Sequence, residues 1–142
     1  LGVDKPTSGA LDAIQTWMRH EGGNWGNNAT YNPLNTKLQT PNSKTATKYG
    51  VQAYPSWDAG LSATVSTLTG KDAKARGYTD VVSAIKGGDR DSILKAVNNS
   101  AWRTGKTGGA GSYDFDIGKD SDGGRGTPGY ALKNIVPQGV SK

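Results

Sequence analysis

The chain contains no cysteine, and it has one histidine, one methionine and one phenylalanine among its 142 residues. The lack of cysteine excludes a disulfide framework and thiol catalysis, although it does not identify a compartment. A single histidine without cysteine cannot form the ligand clusters that are typical of zinc sites. The acidic segment 114–122 lacks the ligand spacing and the closing glutamate of an EF-hand loop. We therefore expect no metal and no cofactor.

Long apolar runs and blocks of basic residues are also missing. No run approaches the roughly twenty apolar residues of a membrane span, and the amino terminus lacks the pattern of a signal peptide. The chain does not begin with Met, so we expect it to be part of a longer polypeptide. Its formal charge of +5 favours polyanionic partners, including anionic cell-wall polymer. Because the lysines and arginines are scattered, nucleic-acid binding is not expected.

The size and composition predict one small domain with much irregular backbone. A chain of 142 residues can bury a modest core, and 21 glycines with 33% hydrophobic residues indicate long loops. We predict a mainly α (α+β) domain over residues 1–142. Its core is expected at about 9–103, followed by a Gly-rich arm at 104–142 with a short apolar end.

Apolar spacing predicts four helices. The first runs from about Gly9 to His20, and Gly22 stops it. Its expected buried face consists of Leu11, Ile14, Trp17 and Met18. Ser56 is the predicted cap of the second helix, which ends at Gly70. Its expected buried face consists of Trp57, Leu61, Val65 and Leu68.

Two shorter helices are predicted further along the chain. The third begins at Thr79 or Asp80 and closes at 87–88, and the fourth begins at Asp89 or Asp91 and fades at 98–100. Between the first and second helices, residues 24–55 are polar and rich in turns. Weak strand potential at 45–47 and 50–54 predicts a small hairpin. Because a loop of this length in a compact domain is usually functional, we predict that it is the binding region.

Glu21 lies at the end of the first helix, and Gly22 and Gly23 follow it directly. A carboxyl beside apolar neighbours such as Trp17 and Met18 resists ionisation, which is how a glutamate becomes a general acid near neutral pH. Most helix-terminal glutamates are nevertheless solvated surface charges. The position alone leaves both interpretations open.

Two further motifs follow Glu21 in the chain. They are the segment 32–36, Asn-Pro-Leu-Asn-Thr, and the segment 54–60, Tyr-Pro-Ser-Trp-Asp-Ala-Gly, which opens the second helix. In this order, the three elements resemble the lysozyme-like peptidoglycan-cleaving domains of phage lysins and tail proteins. They are also similar to bacterial lytic transglycosylases and, more distantly, to flagellar-type glucosaminidases. The resemblance covers about residues 9–103.

The resemblance implies a mostly helical lysozyme-like fold that cleaves the β-1,4 bond between N-acetylmuramic acid and N-acetylglucosamine. It implies that Glu21 is the acid and that Tyr54 is the groove tyrosine that helps to place the acid and the N-acetyl group. The loop residues that it places along the groove are Asn32, Asn35 and Thr36. Gln52 is expected to reach the same cleft. The loop aromatics Trp25, Tyr31 and Trp102 are candidates for sugar stacking or for ordinary packing.

The mechanism depends on whether a second carboxyl takes part. Glycosidic cleavage needs an acid, and then a carboxylate nucleophile, an activated water or the muramic 6-hydroxyl. Asp58, Asp80 and Asp89 are expected to be helix-start residues. No clear second acid follows Glu21, which favours a transglycosylase-like mechanism with Glu21 as acid and then base.

Several alternatives stay open. The enzyme could be a muramidase or an N-acetylglucosaminidase of the same fold, and the domain could instead bind the wall without cutting it or be a structural tail domain. The expected partner is the peptidoglycan glycan strand. The expected location is the virion or the bacterial cell wall, within a larger phage tail or lysin polypeptide.

Overall fold

A computed structural model of the protein describes residues 1–22 and 28–102. Within these ranges the chain forms four helices and one antiparallel pair of strands, so the prediction of a mainly α fold with a small hairpin is confirmed. The helices are α1 (Ser8–Gly22), α2 (Trp57–Thr69), α3 (Tyr78–Gly87) and α4 (Arg90–Asn98). The strands are β1 (Lys44–Thr45) and β2 (Gln52–Ala53), with Lys44 opposite Ala53. The predicted arm at 104–142 lies outside the described residues.

The core lies between α1, α3 and α4. Helix α1 packs on α4, α4 packs on α3, and α3 contacts α2. The side chains with no exposed surface include Ala13, Trp17, Val81, Ile93 and Leu94. Burying a side chain such as that of Val81, Ile93 or Leu94 stabilises the fold by roughly 1.5–3 kcal/mol. These contacts therefore fix the helices that carry the site. No helix in the described ranges is long and apolar enough to cross a membrane.

The predicted caps of α2 and α4 are confirmed, whereas α1 continues through Gly22, which was expected to stop it. Ser56 Oγ accepts a hydrogen bond from the Ala59 N–H at 3.2 Å, and Asp89 Oδ2 accepts one from the Ser92 N–H at 3.0 Å. Gly88, with a φ of 80°, closes α3 in the left-handed conformation that glycine adopts without strain. Helix α3 begins at Tyr78, slightly earlier than predicted, so Asp80 lies within its first turn.

The predicted buried faces of α1 and α2 are wrong in part. Leu11 is 46% exposed, and Leu61 and Val65 are 38% and 37% exposed. Trp17, Met18 and Leu68 are buried as predicted, and the helices also bury small residues, namely Ala10 and Ala13 in α1 and Gly60, Ala63 and Thr64 in α2. Small side chains let a helix approach neighbouring backbone closely, and that approach outweighs burial of the larger aliphatic side chains.

Gly60 shows how close this approach is. A Cβ atom at this position would overlap the carbonyl oxygen of Tyr31 and would lie 2.9 Å from its carbonyl carbon. It would also contact Tyr54 Cδ2 at 3.4 Å. Helix α2 therefore packs directly on the backbone of the loop that follows Glu21.

We predict that Gly60→Ala lowers the free energy of unfolding by about 1–3 kcal/mol, because the loop backbone must move away from the added methyl group. Gly87→Ala is the matched control, since a Cβ at this helical position meets nothing within 4 Å. Its stability should be unchanged or slightly higher, because alanine favours a helix. Denaturant unfolding measures both variants, and equal stabilities would contradict the close packing.

Candidate functional site

Asn32 organises the loop between α1 and the hairpin. Its side chain is buried, and its Nδ2 donates hydrogen bonds to the carbonyl oxygens of Thr36 at 2.8 Å and Gln52 at 2.7 Å. Its Oδ1 accepts a hydrogen bond from the Thr36 N–H at 2.9 Å. All three of these hydrogen bonds join the side-chain amide to backbone groups of its own loop and of β2. Asn32 shapes the loop, and a direct contact of Asn32 with substrate stays a prediction.

Thr36 and Gln52 extend this network and are also buried. The Oγ1 of Thr36 lies 2.6 Å from the Oγ1 of Thr67, which joins the loop to α2. Gln52 Oε1 accepts a hydrogen bond from Ser43 Oγ at 2.8 Å, and its Nε2 donates to Thr45 Oγ1 at 3.2 Å. These bonds close the hairpin onto the loop, so both side chains serve the architecture of the predicted binding region.

Glu21 lies in the last turn of α1 and is half-buried. Its backbone carbonyl accepts a hydrogen bond from the Nδ2 of Asn35. The last carbonyls of a helix have no partner within the helix, so this bond satisfies one of them and fixes the helix end. Asn35 has a φ of 55°, a left-handed conformation that asparagine tolerates better than most residues. Two motifs that were separate in the sequence are therefore in contact in the fold.

An aromatic group supports the same helix end. Trp17 lies one turn before Glu21, and its ring packs edge-on against Trp102 with centroids 5.1 Å apart. Trp102 also contacts the ring of Tyr78 at 5.3 Å, and its Nε1 donates a hydrogen bond to the Leu34 carbonyl at 3.0 Å. Trp102 is buried. The sequence left sugar stacking and ordinary packing open for Trp102, and its buried position in the structure agrees with packing.

Tyr78 is a neighbour of Glu21 that the sequence did not indicate. Burial raises the pKa of its hydroxyl, the negative charge of Glu21 raises it further, and Arg76 opposes both effects. Tyr78 and Glu21 lie on different helices, and no local pattern connects them. The sequence shows only a tyrosine directly after Gly77, which does not indicate the residue that Tyr78 would face.

Tyr54 is buried with its hydroxyl already engaged. Its side chain is 3% exposed, and the hydroxyl donates a hydrogen bond to the Leu38 carbonyl at 2.6 Å. Burial raises the pKa of Tyr54 to about 12, so the phenol is neutral at physiological pH. Its N–H donates to the Thr30 carbonyl at 3.0 Å, which adds a second tie between β2 and the loop. Tyr54 therefore braces the loop, and its contact with a substrate stays a prediction.

Tyr31 differs from Trp102 because it is 40% exposed. Its ring packs against Trp57 in an edge-on arrangement with centroids 5.4 Å apart. An exposed ring beside the loop is able to stack on a sugar face. Trp25, the third predicted aromatic, lies outside the described residues.

Five other carboxylates of the described residues have positions that the fold explains. Asp12 and Asp91 both bind Arg90, at 2.6 Å and 2.7 Å. Asp89 caps α4, and Asp58 and Asp80 lie in the first turns of α2 and α3. Across residues 1–22 and 28–102, no group of three or more carboxylate or histidine side chains is placed to hold a metal ion.

Comparison of the chain with protein-family models, with curated proteins and with solved structures found no match. The resemblance to lysozyme-like domains therefore stays a prediction from the three motifs.

We predict that Tyr54→Phe lowers the free energy of unfolding by about 0.5–1.5 kcal/mol near neutral pH, because the hydrogen bond from the hydroxyl to the Leu38 carbonyl is lost. The folded-state pKa of about 12 lies above the ordinary value of 10.0, so the wild type loses stability as the pH rises between these values. The variant should lose less stability over this range.

Tyr49→Phe is the matched control, because Tyr49 is 68% exposed and its hydroxyl makes no hydrogen bond to the described residues. Its stability and pH dependence should equal those of the wild type. Denaturant unfolding at several pH values measures all three proteins. The same loss of stability at high pH in Tyr54→Phe and in the wild type would contradict the role given to the hydroxyl.

Proposed function

We propose that this domain cleaves the β-1,4 bond between N-acetylmuramic acid and N-acetylglucosamine in peptidoglycan, with Glu21 as general acid and then base. The observation that supports the proposal most is the hydrogen bond from Asn35 to the Glu21 carbonyl. It joins the Asn-Pro-Leu-Asn turn to the helix end that carries the only glutamate of the chain.

The first step requires an acid that is held in place. Glu21 would donate its proton to the glycosidic oxygen, because a sugar alkoxide is a poor leaving group. A small displacement of a catalytic group can cost a large part of the rate. The contact with Asn35 and the packing of Trp17 on Trp102 both restrict the end of α1. These restraints suit a catalytic acid better than a freely solvated surface charge.

The second step needs no further carboxylate if the substrate supplies the nucleophile. The muramic 6-hydroxyl would attack C1, and the Glu21 carboxylate would take the hydroxyl proton. The new C1–O6 bond gives a 1,6-anhydro product, no water is consumed, and Glu21 is protonated again. Three of the aspartates, Asp12, Asp89 and Asp91, are engaged elsewhere in the fold, which makes them poor candidates for a second carboxylate.

The charge of the protein supports a polyanionic target. The chain carries a formal charge of +5, and exposed cations include Lys37, Lys44 and Lys48 on the loop and hairpin. A basic surface raises the local concentration of an anionic polymer and speeds encounter with it. Bacterial cell walls carry such polymers, so this attraction would help the domain to reach its substrate.

We predict that Glu21→Gln reduces the clearing of cell-wall suspensions by about 10²–10⁴-fold, which is the usual contribution of a general acid. Asp58→Asn is the matched control, because Asp58 is an exposed carboxylate in the first turn of α2. It should clear walls at the wild-type rate. Turbidity measures the clearing, and sedimentation with purified walls measures the binding.

Each outcome of this comparison has a distinct meaning. Wall binding by Glu21→Gln without clearing supports the acid role. Clearing by Glu21→Gln at the wild-type rate would refute that role. Binding without clearing by the wild type itself would identify a wall-binding module and refute the enzyme proposal.

A further inference from the structure

A pocket lies between α2 and the segment 38–42. It has a volume of about 290 Å³, and none of the residues predicted for the Glu21 site lines it. Its floor is one face of α2, formed by Ala59, Ser62, Ala63 and Ser66, and its apolar walls are Leu38, Pro41 and Pro55. The volume is close to the lower end of the roughly 300–1,000 Å³ of small-molecule sites, so it suits one sugar or one amino-acid residue.

Hydrogen bonds of the loop hold the pocket in shape. The carbonyl of Leu38 accepts a hydrogen bond from the Tyr54 hydroxyl at 2.6 Å, and the Thr40 N–H donates to Ser43 Oγ at 2.9 Å. The contact of Thr36 with Thr67 fixes the same segment to α2. A preformed pocket of this kind loses little conformational entropy when it binds a ligand.

The polar side chains that line the pocket are not used by the rest of the described protein. The side chains of Thr40, Asn42, Ser62 and Ser66 make no hydrogen bond to residues in the described ranges. Three threonines of the same helix behave differently, because their hydroxyls donate to carbonyls of the preceding turn at 2.8–2.9 Å. These are Thr64, Thr67 and Thr69. On α2, the hydroxyls of Ser62 and Ser66 therefore remain available to a ligand, whereas the hydroxyl protons of the three threonines are engaged.

The lining also restricts the chemistry of the ligand. It contains no charged side chain, so it offers no ionic partner and favours an uncharged group of the ligand. Serine hydroxyls and the Asn42 amide can both donate and accept hydrogen bonds, which matches the N–H and C=O of an amide. The side chains of Ala59 and Ala63 offer an apolar floor on which a methyl group can pack.

We propose that this pocket binds a methyl-bearing secondary amide. Two components of cell walls carry this chemistry, namely the acetamido group of an amino sugar and an alanyl residue of a wall peptide. The assignment of the ligand to peptidoglycan rests on the proposed function, whereas the ligand chemistry rests on the pocket alone. The pocket would hold the substrate at a point separate from the bond that Glu21 is proposed to cut.

The test is an NMR titration of the full chain with two pairs of small probes. N-acetylglucosamine is compared with glucose, which lacks the acetamido group, and N-formyl-L-alanine amide is compared with N-formylglycine amide, which lacks the methyl group. We expect the backbone amide signals of Leu38, Ser62 and Ser66 to move with a methyl-amide probe, with a dissociation constant of the order of 1 mM. The control probes should leave these signals in place.

The pattern of shifts identifies the source of the ligand. A response to N-acetylglucosamine alone supports the sugar, a response to the alanine probe alone supports the wall peptide, and a response to both supports the shared chemistry. No response to either probe, or an equal response to the control probes, overturns the proposal.

Substitutions on α2 provide matched variants. Ser66→Phe should fill the pocket and weaken probe binding by about tenfold or more, because the ligand loses its space. Val65→Phe is the control, since Val65 is the exposed neighbour on the same helix and does not line the pocket. Ser62→Phe is a second filling variant if Ser66→Phe does not fold. Wild-type affinity in a folded filling variant overturns the proposal.

The variant Glu21→Gln separates this proposal from the proposed function. It should bind the probes as the wild type does, because Glu21 is not part of the pocket. If the wild-type protein binds the probes but clears no walls, the proposed enzyme activity is refuted and the proposed amide pocket is supported. If the wild-type protein clears walls but does not bind the probes, the proposed amide pocket is refuted and the proposed enzyme activity is supported.

Discussion

The side-chain amide of Asn32 makes the hydrogen bonds on which the rest of the site depends. The loop between α1 and the hairpin has little regular secondary structure, so its backbone groups need partners from elsewhere. Asn32 supplies three such bonds. Its side chain donates to the Thr36 carbonyl and accepts from the Thr36 N–H, and it also donates to the carbonyl of Gln52 in β2. Each bond adds only about 0.5–1.5 kcal/mol, but an unpaired buried group costs about 1–3 kcal/mol. Loss of any one of these bonds would therefore cost the loop more than the bond itself contributes.

The fixed loop then positions the groups on either side of it. The Leu34 carbonyl accepts a hydrogen bond from the indole N–H of Trp102. The side chain of Asn35 donates one to the Glu21 carbonyl at the end of α1. On the other side, the Thr36 hydroxyl contacts Thr67 of α2, and the Tyr54 hydroxyl donates a hydrogen bond to the Leu38 carbonyl at the edge of the proposed amide pocket. One local arrangement thus links the proposed acid to the proposed amide pocket, and both are carried by the rigid packing of the helices.

The sequence predicted the parts of this structure that depend on local chemistry. Caps such as Ser56 and Asp89 follow from side chains that bond to nearby N–H groups, and apolar spacing located the four helices. The buried face of α2 was mispredicted because local spacing does not show that Gly60 must meet the backbone of Tyr31. The internal roles of Asn32 and Gln52 were missed for a related reason, since polar loop residues look alike whether they bind a ligand or the chain itself.

The mass spectrum of muropeptides released from purified peptidoglycan tests most directly the claim that Glu21 works without a second carboxylate. A single residue acting as acid and then base, with the muramic 6-hydroxyl as nucleophile, predicts muramic ends that carry the 1,6-anhydro bond. Reducing muramic ends would show that water enters the reaction, and reducing glucosamine ends would show that the other glycosidic bond is cut. Either result would contradict this account of Glu21.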